Sequence, residues 1–120
     1  MTTYIPSLFS IYIVLAIGYN LVSLLLVEVT GKRAAPTDPV IGIMMMSILY
    51  LTYATGPQVS SLLYLFLLIS FVLLIVRFGI IAHIWAADRG LYYSEFARYS
   101  AFGINIFGVA TLITIIITSF

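Results

Sequence analysis

Cysteine is absent, histidine occurs once, and charged side chains make up only 8% of the 120 residues. Without cysteine there are no disulfides, no thiolate metal sites and no thiol nucleophile. A lone histidine, His83, would need further ligands for a metal, or a second axial ligand for a haem, and no helix here offers them. Proton relay through it is conceivable, since histidine titrates near neutrality, but it would rest on one residue. Five Lys and Arg, scattered and almost balanced at a net +1, leave no electrostatic footprint for nucleic acid. There is no phosphate-cradling glycine loop, no pair of intramembrane carboxylates and no nucleophile beside an oriented base. The expectation is a chain that is not an enzyme by itself and carries no cofactor.

What remains is apolar. Hydrophobic residues reach 63% and mean hydropathy is +1.21, whereas soluble domains average about 25% charged residues, too many for this chain to resemble them. The fold class expected is an all-α integral membrane protein: four transmembrane helices in an antiparallel bundle forming a single domain over residues 1–120. The helices are placed at about 6–29, 39–55, 57–89 and 95–119, the second and third forming a tight hairpin. The opening MTTYIPSLFS lacks the basic region of a secretory signal, so the first helix reads as retained.

Local signals set these bounds. Pro6 suits a first helical turn, and Gly31 suits a left-handed stop. Asp38-Pro39 pairs a capping carboxylate with a proline at the first helical position, and Gly56-Pro57 ends the second helix and opens the third with almost no loop. The third helix should run to Arg89 with Gly90 as its stop, and Ser94 should cap the fourth. At about 50 Å the third helix exceeds a hydrocarbon core of ~30 Å, so it must tilt or protrude.

Polar residues inside the spans are the candidate functional groups. Tyr12, Ala16, Tyr19, Asn20 and Ser23 recur every three or four residues on the first helix, giving it a small or hydrogen-bonding face. Ala97, Ala101, Asn105, Gly108, Thr111, Thr114 and Thr118 make a similar seam on the fourth, suited to packing within the chain or to docking other membrane subunits. Arg77 either snorkels at the interface or lies within the bilayer, where a charge requires a partner; Asn105, at similar depth on the adjacent helix, is the partner expected. A helical projection puts Ser70, Arg77, Ile81 and Asp88 on one stripe and His83 on the opposite side, so Arg77 and His83 do not share a site. Glu28 sits within reach of Lys32 near a helix end, an interfacial pairing. Met44, Met45 and Met46 carry soft thioethers, yet successive helical residues diverge by about 100° and cannot converge on one ion, so they read as packing.

Lys32, Arg33, Arg89 and Arg98 lie in or beside the two polar loops, and the opposite side has no basic side chain. The positive-inside rule then puts both loops in the cytoplasm and both termini outside. In length and number of spans the chain resembles the small multidrug transporters. Those depend on a glutamate midway through the first helix, where this chain has apolar residues and Gly18, so the likeness is one of size.

The leading expectation is a non-catalytic accessory or structural subunit of a larger membrane complex of the oxidase, hydrogenase or monooxygenase type, with the lipid bilayer and other membrane subunits as partners. The alternative is a small homo-oligomeric transporter or channel for a small anion or neutral solute. The residues that would carry either role are Arg77, Asn105, His83 and Asn20.

Overall fold

The computed structural model describes residues 4–35, 37–85 and 92–120, leaving the side chains of Pro57, His83 and Trp85 outside the description. Among these residues every regular element is helical: α1 (Ile5–Thr30), α2 (Pro39–Thr55), a single 3-10 turn (Gly56–Gln58), α3 (Ser61–Leu74), a π-helical segment (Ile75–Ile81), α4 (Ala82–Trp85) and α5 (Glu95–Ser119). Three helical stretches, Ile5–Thr30, Ser61–Ile81 and Glu95–Ser119, are long and apolar enough to cross a membrane, and α2 is a shorter apolar helix.

The capping chemistry explains where the helices stop. Gly31 closes α1 in the left-handed conformation at φ 73°, its N–H bonding back to Val27 O; an L side chain there would be strained. Asp38 accepts hydrogen bonds from the N–H groups of Val40 and Ile41, and Pro39, in the first turn, has no N–H to leave unpaired. Ser94 caps α5 by accepting from Ala97 N–H.

The third helix departs from the sequence expectation. It does not begin at Pro57: Gly56-Pro57-Gln58 forms the 3-10 turn, Val59 is extended, and α3 starts at Ser61 with Ser60 Oγ accepting from Leu63 N–H. Pro57 fixes one dihedral favourably, but a serine hydroxyl can satisfy a free helix-end amide and proline cannot, so the cap sets the start. The expected end at Arg89 and stop at Gly90 lie outside the described residues.

Neighbouring helices meet at pairs whose numbers run in opposite senses. Phe9 stacks on Tyr53 with ring centroids 4.2 Å apart, while Asn20 lies against Gly42. Tyr12 fills the space beside Gly108, and Tyr19 O–H donates to Ala97 O at 2.8 Å. Asn105 reaches Gly79, and Tyr64 lies beside Phe120. The two polar loops touch: Tyr93 N–H donates to Ala34 O at 3.1 Å, and Ala34 N–H donates to the buried Ser23 Oγ at 2.9 Å.

Packing is uneven along the bundle. Phe9, Tyr12, Leu49, Leu68, Leu112 and Ile115 are fully buried and form the core. Those numbers place it towards the Gly56–Ser60 turn. Nearer the loops a cleft opens among the helices.

Candidate functional site

The cleft has a volume of about 290 Å³ and is walled by α1, α2, the α3–π-helical stretch and α5. Met45, Met46, Phe71, Ile75 and Phe78 give it apolar sides; Asn20 and Asn105 supply the polar groups deep within it, and Thr37 and Asp38 lie at its loop end. Of the methionine triplet, Met44 faces outward, Met45 lines the cleft and Met46 is buried. Their divergence is the one expected of consecutive helical residues.

Each asparagine is seated on a glycine of the neighbouring helix. A Cβ at Gly42 would come within 2.5 Å of the Asn20 amide, and one at Gly79 within 2.6 Å of the Asn105 amide. The hydrogen bonds fix the amide orientations. Asn105 Nδ2 donates to Gly79 O at 3.0 Å and to Ala101 O at 2.8 Å, spending both of its hydrogens. Asn20 Nδ2 donates to Ala16 O at 2.8 Å. Two carbonyls facing Asn105 leave its Oδ1 as the free end, an acceptor, and Asn20 Oδ1 is an acceptor likewise.

Gly79 belongs to the seven-residue π-helical segment, in which Ala82 N–H reaches back five residues to Arg77 O. Such wide turns recur at functional sites because they release backbone groups from the ordinary pattern. Here Asn105, from α5, engages the Gly79 carbonyl.

Arg77 does not point into the cleft. Its side chain is exposed on the outside of the bundle, with the guanidinium carbon 5.3 Å from the centre of the exposed Phe78 ring. The expected partnership with Asn105 is not formed, since the Asn105 amide hydrogens go to backbone carbonyls instead. Gly79 meets Asn105 and Tyr64 meets Phe120, a spacing of 15 residues on both helices. Arg77 therefore stands level with Phe107, which is 12 residues from either end of α5. At ~1.5 Å per residue that is about 18 Å from each end.

Around Arg77 the outer surface of the third helix is large and apolar. Leu62, Phe66, Ile69 and Leu73 are all exposed, and with Arg77 they recur at spacings of three or four. This is one continuous face.

The other candidates fall as follows. Tyr12, Ala16 and Ser23 of the first-helix face are buried, and Tyr19 and Asn20 are half-buried. On α5, Ala97, Ala101, Gly108 and Thr111 are buried within the chain, while Thr114 and Thr118 are exposed and bond their own helix carbonyls. His83 lies in α4, but its side chain is outside the description. At the loop end Arg33 approaches Asp38 at 3.8 Å, and Arg98 approaches Glu95 at 4.0 Å. Burial pushes the Tyr92 phenol up in pKa, with Arg98 acting in the opposite sense. Sequence reasoning missed Gly42 and Gly79. A glycine amid large apolar residues of a span marks a close approach, and that signal was present at both. Compared with known protein families, curated proteins and solved structures, the chain matches none.

Proposed function

We propose that this chain is a non-catalytic accessory subunit of a larger integral membrane complex of the oxidase, hydrogenase or monooxygenase type. It crosses the bilayer four times as an antiparallel bundle, with both loops in the cytoplasm and residues 5 and 119 towards the outside. Support for the arrangement comes from the Ala34–Tyr93 contact that joins the loops and from the opposite-running contact pairs. The 44 Å length of the Cα trace spans a ~30 Å hydrocarbon core with both ends in the headgroups. Lys32, Arg33 and Arg98 at the loop end support the sidedness.

The observation that carries the role is Arg77. A guanidinium halfway along the bundle and on its outer face costs about 2.5 to 3.5 kcal/mol in lipid. An aromatic ring beside it offsets only part of that. A carboxylate on a helix of another subunit, packed along the Leu62–Arg77 face, supplies the missing partner. Docking thus moves from the fourth-helix seam, most of which is buried inside the chain, to the outer face of the third helix.

The small-transporter reading keeps one support, the cleft with its two asparagines, but Arg77 is not among the residues that line it. One experiment separates the two. Native purification in mild detergent, with mass determination and identification of bound chains, should yield larger membrane subunits at fixed stoichiometry, and Arg77→Ala should lower their recovery at least tenfold. A clean homo-oligomer that retains no other chain would overturn the subunit role.

A further inference from the structure

The cleft, independently of any docking partner, has the features of a ligand site. We infer that it binds a small neutral amphiphile: an apolar body of about a dozen heavy atoms bearing a hydroxyl as hydrogen-bond donor. Size comes from the volume. At about 290 Å³ the cleft is roughly twice an engineered cavity of ~150 Å³ that holds benzene, which points to a two-ring or equivalent aliphatic body.

Polarity comes from the asparagines. Both Asn105 amide hydrogens are committed to Ala101 O and Gly79 O, and one of Asn20 to Ala16 O. The unspent groups lining the cleft are the two asparagine oxygens, the second Asn20 N–H and the Thr37 hydroxyl, so a ligand hydroxyl can donate to an oxygen and accept as well. A carbonyl compound could only accept, and would leave the asparagine oxygens unpaired. Charge is disfavoured as well. Asp38 is the carboxylate among the lining residues, but its side chain already caps α2 and faces Arg33. An anion would lack a basic lining residue. A neutral alcohol meets all three conditions.

Phe78, at the wall, and Ile41, exposed to 58% while lining the cleft, mark its entrance. Ile41 therefore allows the entrance to be blocked without touching the core.

The test is equilibrium dialysis of 2-naphthol against the protein in lipid nanodiscs, with uptake by empty nanodiscs subtracted. Saturable binding at one site per chain is expected. Ile41→Trp should weaken it at least tenfold, whereas Val40→Trp, on an exposed neighbour outside the cleft, should leave it unchanged. Against 2-methylnaphthalene, which keeps the shape and loses the donor, affinity should fall at least tenfold. Uptake equal to that of empty nanodiscs, equal binding of the two compounds, or an Ile41→Trp variant that unfolds no earlier than wild type yet binds normally would each overturn the assignment.

Discussion

At the scale of single residues, the two asparagine–glycine pairs are among the most exacting contacts of the described residues. Each needs a side chain that is missing on one helix and an amide that fills the notch from another. In lipid, where helices gain little from hydrophobic contact alone, close approach and side-chain hydrogen bonds hold them together. Gly79→Ala would place a Cβ 2.6 Å from the Asn105 side chain, and the overpacking should cost about 1 to 3 kcal/mol. Gly103→Ala meets nothing within 4 Å and should be neutral or stabilising by up to ~1 kcal/mol through helix propensity. Thermal unfolding in mild detergent measures both; equal effects at the two glycines would discredit the seating of Asn105. Combined with Asn105→Ala, the Gly79→Ala loss should be less than additive, since the clash disappears with the amide.

At the scale of elements, α1, α2 and α5 begin and end within a residue or so of where Pro6, Gly31, Asp38-Pro39, Gly56 and Ser94 place them. Capping is local chemistry and therefore legible. The third helix shows where that legibility ends. Its start turned on a choice between two nearby signals, Pro57 and Ser60, and the side-chain cap prevailed. Ser60→Ala should accordingly cost about 1 kcal/mol and fray the first turn of α3, visible as faster amide exchange at Ser61 to Leu63. Protection unchanged from wild type would argue against the cap. The π-helical segment was not legible at all. No propensity encodes it; it accompanies a tertiary contact, the Asn105 amide on the Gly79 carbonyl. The cleft was hidden for the same reason, since its lining comes from helices far apart in the sequence.

For the whole molecule, composition alone pointed to helices in a membrane, and the three long apolar helical stretches agree with it. The candidate site was half legible. Asn20 and Asn105 were singled out by their polarity and do line one cleft, while Arg77 was singled out for the same reason and faces the other way. Polarity marks a residue as unusual without giving its azimuth, which depends on the neighbours. The absence of native cysteine makes the proposed topology directly testable, because any introduced thiol is the only one present. Single cysteines at Lys32 and Tyr93 should react with an impermeant maleimide only after the membrane is opened, and those at Gln58 and Phe120 in intact cells. Labelling of Lys32→Cys in intact cells would reverse the orientation.

The π-helical segment has one more consequence. A wide turn acts as a phase shifter: it rotates everything beyond it relative to everything before it. Leu62 through Leu73 lie ahead of the shift and Arg77 inside it, so the three- and four-residue rhythm of the outward face does not carry past Ile81. Deleting one residue between 75 and 81 would restore ordinary winding by removing the residue that the wide turn absorbs, and would leave α4 facing as it does now. Substitutions can tune the face, but this one turn sets where it ends.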